Sequence, residues 1–253
     1  MADIQIALIN SSTMLSDAQA SAALTAFQTQ IHRDFAPVWG IDADITFVGT
    51  GSQPPPGSWW LTLFDHSDQA GAMGYHDLTP EGLPLGKVFA ATDAQYGDVW
   101  TVTTSHELLE MLADPDGNLT ALVQNKDNSG TLYAYEVCDA CEADSAGYQI
   151  GNVLVSDFVY PAWFESFRQP GSTQFDYQKK ITAPFQLLAG GYIGTYNIAA
   201  GGSWSQITAD REQHEYKARA RVGSRRERRQ TPRSRWLRSE PRSLYKTPQD
   251  ANG

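Results

Sequence analysis

Residues 103–115 read Thr-Thr-Ser-His-Glu-Leu-Leu-Glu-Met-Leu-Ala-Asp-Pro, and this stretch carries most of the information about fold and chemistry. Its apolar periodicity predicts a helix that begins near Val99 or Thr101. The helix should end at Asp114-Pro115, because the residue before a proline resists helical geometry. His106 and Glu110 are four residues apart, so their side chains lie on one helix face, with Glu107 beside them.

The chain before this helix predicts alternating strands and one long helix. Ser16 or Asp17 can cap a helix that runs to about Phe35, with apolar residues at spacings of four, three and four. A Gly- and Pro-rich segment covers residues 71–86. The predicted strands are Ile4–Asn10, Asp44–Val48, Trp59–Phe64 and Lys87–Thr92.

The chain after the helix gives weaker signals. Residues 161–167 favour a short helical turn, and residues 185–188 and 192–198 favour a hairpin across Gly190-Gly191. Further strands are predicted at Thr131–Val137 and Val153–Val159.

Composition and charge exclude several classes of protein. Of the 253 residues, 41% are hydrophobic and 11% aromatic, which suits a globular chain with a core. No apolar run is long enough to span a bilayer, and the N-terminus lacks the features of a secretory signal, so we expect a cytoplasmic protein. Residues 1–206 hold six basic and 23 acidic side chains, a charge of −17, which argues against nucleic-acid binding by this part.

The last 47 residues have a different character. Residues 207–253 hold 13 basic and six acidic side chains, with few large aliphatic residues, so we predict a disordered basic tail. An Arg-rich tail is either a solvated extension, which is the commoner case, or an arm for nucleic acid, a membrane surface or an acidic partner.

The helical His-Glu pattern predicts a metal site. A hydrolytic zinc site needs three protein ligands and one open position for water, and a carboxylate takes the proton of that water. His106 and Glu110 fit as ligands, and Glu107 fits as the general base; this is the His-Glu-x-x-His motif with Glu110 in place of its second His. The alternative is an ordinary amphipathic helix with a satisfied His and surface carboxylates.

The third ligand is expected in the segment from Tyr135 to Glu142, which concentrates carboxylates and both cysteines. We favour Glu136 as the ligand, with Asp139 orienting His106, but the exchange of these two roles is almost as well supported. Both acids being simple turn or strand-edge residues is the other alternative.

The order of elements resembles the N-terminal subdomain of zincin metallopeptidases. The pattern His-Glu-x-x-Glu…Asp-Pro followed by Glu-x-x-Asp-x-Cys also resembles zincin-like proteins of bacteria and plant proteins of the Exordium type. The resemblance covers about residues 80–165. The matching positions are His106, Glu107, Glu110, Asp114, Pro115, Glu136, Asp139 and Cys141.

The resemblance implies an α+β, zincin-like fold: a twisted mixed β-sheet with a backing helix and an active-site metal helix, followed by a smaller, strand- and loop-rich C-terminal part. Residues 1–206 would form one metallohydrolase domain, with the sheet and metal helix in residues 1–115 and the third ligand in residues 116–206. Lys87–Thr92 would be the edge strand, which in zincins pairs with an extended peptide substrate.

The resemblance implies a zinc-dependent hydrolase, most simply a metallopeptidase, with Zn²⁺ as cofactor, a peptide or protein as substrate and Glu107 as general base. The alternative is a non-catalytic binding protein that keeps a structural metal or has lost it. Glu110 stands where the peptidase motif has its second His, and this is a departure from that motif.

Other candidate residues have weaker arguments. His76 lies between two predicted strands and is a candidate for substrate binding, carbonyl polarisation or metal ligation. Asp114 is eight residues beyond His106, about 12 Å of helix rise, so it is expected near the helix end rather than on the same ion. Cys138 and Cys141 are expected to form a local disulfide or to be inert thiols, and a thiolate ligand at the His106 site is the minor alternative. Zincins often stabilise an oxyanion with a Tyr, for which the candidates are Tyr133, Tyr135 and Tyr148.

Overall fold

In a computed structural model, the described residues are 2–69, 72–79, 81–124, 129–198 and 204–209. They form an α+β fold with a mixed sheet, as the sequence predicts. The last 44 residues, and with them nearly all of the predicted basic tail, lie outside the described residues. Within the described part, no helix is long and apolar enough to cross a membrane.

The larger sheet has five strands in the order β2-β1-β3-β5-β4. The first four strands of this order are mutually parallel, and β4 pairs with β5 in the antiparallel direction. The antiparallel strand therefore forms one edge of the sheet. The strands are β1 (Ile4–Asn10), β2 (Ala43–Val48), β3 (Trp59–Phe64), β4 (Gly74–Leu78) and β5 (Pro84–Phe89).

Alternation along β1 decides which face of this sheet carries the core. Ile6 and Leu8 are buried in the main apolar cluster, whereas Ala7 and Ile9 point to the opposite face and belong to a small separate cluster. Two helices contribute to the main cluster: α1 (Asp17–Thr29) and α4 (Trp100–Ala113). The predicted backing helix and metal helix therefore cover the same face.

The backing helix is longer than predicted. Ser16 caps α1 in a capping box with Gln19, as the sequence indicates. The chain continues through a π-helical turn, Gln30–Phe35, into the short α2 (Ala36–Trp39). Pro37, which has no backbone donor, occupies the first turn of α2, where helices tolerate it. Gly40 follows with φ of 70° and ends the helix.

Most of the remaining elements follow α4 and form the C-terminal half of the described chain. A four-stranded antiparallel sheet has the order β11-β10-β7-β6, and β8 and β9 form a separate hairpin. The strands of the four-stranded sheet are β6 (Thr120–Gln124), β7 (Gly130–Ala134), β10 (Tyr192–Asn197) and β11 (Ser205–Thr208). The hairpin consists of β8 (Tyr148–Ile150) and β9 (Val153–Val155). The helix α3 (Ala90–Tyr96) precedes α4, and 3₁₀ turns cover Asp139–Cys141, Asp144–Ala146 and Pro161–Phe164.

Three local predictions are wrong. Lys87–Thr92 is not the edge strand: β5 ends at Phe89 between β3 and β4, and residues 90–96 are helical. The edge is β4, which lies inside the Gly- and Pro-rich segment 71–86, where the sequence predicts no strand. Residues 185–188 do not form a strand; β10 pairs instead with β7 and β11. The expected boundary at residue 206 falls inside β11 (Ser205–Thr208).

Candidate metal centre

The helix α4 packs against β3, β4, β5 and β9, and twelve of its fourteen residues are buried. His106, Glu107 and Glu110 are 7%, 5% and 3% exposed. Such burial of two carboxylates and an imidazole is unusual, because charged groups are rarely buried without a partner of opposite charge. The structure therefore excludes the alternative in which α4 is an ordinary amphipathic helix that carries Glu107 and Glu110 on its exposed surface.

Two glycines on the sheet make room for the helix. A Cβ built on Gly74 of β4 would lie 2.6 Å from Oε1 of Glu107, and one on Gly86 of β5 would lie 2.7 Å from a methyl group of Leu61 and 3.6 Å from Cβ of Glu107. Glu107 therefore rests directly on the glycine positions of the two strands. The absence of side chains there lets the helix approach the sheet closely.

His106 forms one cluster with two carboxylates. Its Nε2 lies 3.3 Å from Oε2 of Glu110 and 3.3 Å from Oδ1 of Asp139. Two ligand atoms bound to one zinc ion in a tetrahedral arrangement are separated by about 3.3–3.4 Å, since zinc–nitrogen and zinc–oxygen bonds are about 2.0–2.2 Å long. One imidazole and two carboxylates at this spacing are a donor set that fits a divalent cation.

A second cluster adjoins the first and includes the same glutamate. His76, Glu110 and Glu136 are all buried, and their ligand atoms lie within 4.8 Å of one another, so this group can also hold a metal ion. Nδ1 of His76 is 3.7 Å from Oε2 of Glu110 and 3.5 Å from Oε2 of Glu107. Its Nε2 is 4.0 Å from Oε2 of Glu136. The edge strand β4 thus places His76 beside the carboxylates of Glu107 and Glu110 on α4.

The turn after β7 supplies the other two carboxylates. β7 ends at Ala134, and the chain reaches Glu136 and then the 3₁₀ turn that begins at Asp139. The backbone N–H of Cys138, the residue directly before this 3₁₀ turn, donates to Oε1 of Glu110 at 3.2 Å. One oxygen of Glu110 is thereby held by the turn, while the other oxygen faces both histidines.

The electrostatic environment favours positive charge at His106. Burial alone would lower the pKa of His106, but the nearby carboxylates of Glu110, Asp139 and Glu107 outweigh it and raise that pKa well above its ordinary value. The same carboxylate field attracts a metal cation. A proton and a cation would compete for this nitrogen, because a metal ligand must be the neutral imidazole.

The structure brings together all six residues that the sequence analysis assigns to the site, which are His76, His106, Glu107, Glu110, Glu136 and Asp139. Both candidate third ligands contribute, but to different groups. His76, which the sequence places between two predicted strands, lies on the edge strand β4 and is buried within the cluster. Two features of the site are absent from the sequence predictions, Gly74 and the backbone N–H of Cys138. The Gly-x-His spacing of residues 74–76 is a signal for Gly74, whereas the sequence has none for the Cys138 donor.

The other candidates lie elsewhere or have structural roles. Asp114 lies at the end of α4, where the sequence predicts it, and accepts hydrogen bonds from the backbone N–H groups of Asn118 and Leu119. The hydroxyl of Tyr148 donates to Asp34. Tyr133 packs on Phe185, and Tyr135 stacks on Phe164.

The two cysteines are free thiols, so the disulfide alternative is wrong. Both are fully buried, and burial raises the pKa of each thiol well above its ordinary value. The inert-thiol alternative agrees with this environment, because the reactive form of cysteine is the thiolate.

Comparisons of the chain with models of protein families, with curated proteins and with solved structures find no significant match. The resemblance to zincin-like proteins therefore rests on the motif and the order of elements alone.

Proposed function

We propose that this protein is a zinc-dependent hydrolase, most simply a metallopeptidase, in which His106, Glu110 and Asp139 hold the ion. The observation that carries the proposal is the position of His106 Nε2, 3.3 Å from one oxygen of each carboxylate, which is the separation expected of zinc ligands. Three protein ligands leave one position open for water or substrate, as hydrolytic zinc sites require. When bound, zinc would acidify a water and polarise a carbonyl.

Glu107 has the position of a general base. It follows the ligand His106 directly on α4, is 5% exposed, and is outside both three-residue groups. Its carboxylate rests on Gly74 and faces His76 Nδ1 at 3.5 Å, so its position is fixed from two sides. A carboxylate that is buried beside the metal position and is not itself a ligand can accept a proton from the attacking water.

The edge strand supports a peptide as substrate. Among the described strands, β4 is the last in the order of its sheet, and it pairs there with β5. An extended peptide can add to such an edge through main-chain hydrogen bonds, which gives recognition without a deep pocket. Because His76 belongs to β4, a peptide bound along this strand would lie directly beside the metal position.

Metal content and turnover test the proposal together. The purified chain should hold zinc, His106→Ala should lose it, and Glu107→Gln should keep it while cleavage of a mixed peptide library falls at least ~10²-fold. His66→Ala is the matched control, since His66 is exposed and lies outside the two groups. Retained zinc with no cleavage by the wild-type chain would instead indicate a structural metal, and a metal-free wild-type chain that cannot be loaded would refute the proposal.

A further inference from the structure

The two three-residue groups have the same composition. Each consists of one histidine, one carboxylate of its own and the shared Glu110: His106 with Asp139, and His76 with Glu136. The histidines come from different elements, α4 and β4, and they reach Glu110 from two directions. A duplicated ligand set around a single shared carboxylate is the arrangement of a paired metal centre.

We propose that His76, Glu110 and Glu136 hold a second divalent cation, with the Glu110 carboxylate shared between the two ions. This inference rests on the proposed metal position at His106. It gives His76 a role as a ligand rather than as a substrate-binding residue.

The distances around Glu110 carry the inference. Its Oε2 is 3.3 Å from His106 Nε2 and 3.7 Å from His76 Nδ1, so one carboxylate oxygen faces both imidazoles. Its Oε1 accepts the N–H of Cys138, which fixes the orientation of the carboxylate between them. Paired hydrolytic ions lie about 3.5–4 Å apart, a separation that a shared carboxylate oxygen spans.

The number of buried carboxylates allows two cations. Four carboxylates are buried here, those of Glu107, Glu110, Glu136 and Asp139. Buried carboxylates are stabilised when they coordinate a cation, and four of them are enough to serve two ions.

Most of the six basic side chains of residues 1–206 form ion pairs or hydrogen bonds away from this centre. Arg33 pairs with Asp34, Lys87 with Asp68, and Arg168 with Glu165. The Lys180 ammonium donates to two backbone carbonyls. The ion pairs that the structure shows at the centre run to the two histidines.

The ligand chemistry indicates which cations fit. Each position offers one imidazole nitrogen and carboxylate oxygens, and it offers no thiolate, since no cysteine belongs to either group. Imidazole with carboxylate suits Zn²⁺, Fe²⁺ and Mn²⁺, and it does not select copper(I) or an iron–sulfur cluster. Mn²⁺ is therefore a suitable spectroscopic probe for both positions.

The test is a titration of the metal-stripped full chain with Zn²⁺, followed calorimetrically, and with Mn²⁺, followed by electron paramagnetic resonance. The wild-type chain should bind two equivalents, and the second Mn²⁺ should show spin coupling to the first. His76→Ala and Glu136→Gln should each bind one equivalent with an uncoupled signal, and Glu110→Gln should weaken both. His32→Ala is the control, because His32 pairs with Asp42 on the exposed surface.

The outcomes separate this inference from the proposed function. One equivalent in the wild-type chain, lost in His106→Ala and kept in His76→Ala, would overturn the second position and leave the hydrolase proposal intact. Two uncoupled equivalents that persist in His76→Ala would place the second ion elsewhere and also overturn it. Absence of any binding would overturn both proposals. The wild-type stoichiometry decides these cases even if a variant fails to fold.

Discussion

Gly74 and Glu107 are in direct contact across the interface between β4 and α4. A Cβ on Gly74 would lie 2.6 Å from Oε1 and 2.8 Å from Cγ of Glu107, both closer than such atoms approach one another in proteins. The catalytic competence of Glu107 in the proposed hydrolase therefore depends on a residue that has no side chain.

Gly74→Ala should displace the Glu107 carboxylate. We expect turnover to fall at least ~10-fold while zinc content stays at the wild-type level, because small displacements of a catalytic group are costly and Glu107 is not a ligand in the proposal. Gly86→Ala is the matched control: its Cβ would meet the end of Leu61 and only the Cβ of Glu107 at an ordinary 3.6 Å. Equal activity losses in the two variants would contradict the specific role of Gly74.

Tyr148→Phe should affect stability and not turnover. Its hydroxyl donates to the buried Asp34, which also binds Arg33 and the hydroxyl of Tyr177. Removing one donor from a buried carboxylate costs about 1–3 kcal/mol. Denaturant unfolding would measure this loss, with Tyr96→Phe on the exposed surface as a control. A large loss of turnover at unchanged stability would restore Tyr148 as a candidate for oxyanion support.

Asp93 should make the protein less stable as the pH rises towards neutrality. Burial raises the pKa of Asp93 to about 7, from an ordinary 3.8, although the hydroxyl of Thr103 donates to it. Between these values the folded state keeps a proton that the unfolded state releases, so the free energy of unfolding falls with pH by up to about 1.4 kcal/mol per pH unit. The contribution of Asp93 levels off within about one pH unit below 3.8 and above 7.

Asp93→Asn removes the ionisation and keeps an oxygen for Thr103. We expect the variant to unfold at higher denaturant concentration than the wild type at pH 8, with the difference shrinking towards pH 4. Its metal content should be unchanged. A stability difference that is constant across this pH range would contradict the raised pKa.

The two thiols should be unreactive in the native protein. Both cysteines are completely buried, and burial disfavours their thiolate forms. A chromogenic disulfide reagent should label them only as fast as the protein opens, and two thiols per chain should react at once in strong denaturant. Addition of a reductant should leave the melting temperature unchanged, and a shift would indicate a disulfide.

The helix face of the site could be predicted because it is a local property. The spacing of His106, Glu107 and Glu110 fixes their relation as soon as the segment is helical, and α4 has the limits that the sequence indicates. Similarly, β1 and β3 have the predicted limits, because their runs of branched and aromatic residues are unambiguous.

The edge strand could not be predicted for the opposite reason. β4 contains five residues, begins with Gly74 and includes polar His76 and Asp77, so neither length nor alternation marks it as a strand. Its strand conformation comes from pairing with β5, in which His76 lies opposite Gly86. That register directs His76 towards α4, and no spacing in the sequence contains this information.

The choice between Glu136 and Asp139 was open for a geometric reason. The two residues are three apart in a turn that no regular period describes, so the sequence gives no direction for either side chain. In the fold both face Glu110 from the same turn, one towards His76 and one towards His106. Glu136 and Asp139 are therefore not alternatives for one position, because each belongs to a different group of possible ligands.

The centre draws on three segments that are distant along the chain: β4, α4 and the turn after β7. A polypeptide growing from its N-terminus cannot complete either ligand group until residues 136–139 have left the ribosome and reached α4. Loop closures of this length form late, after local helices. In the proposed hydrolase, metal capture would therefore come after α4 has formed and after the turn that carries residues 136–139 has docked on it.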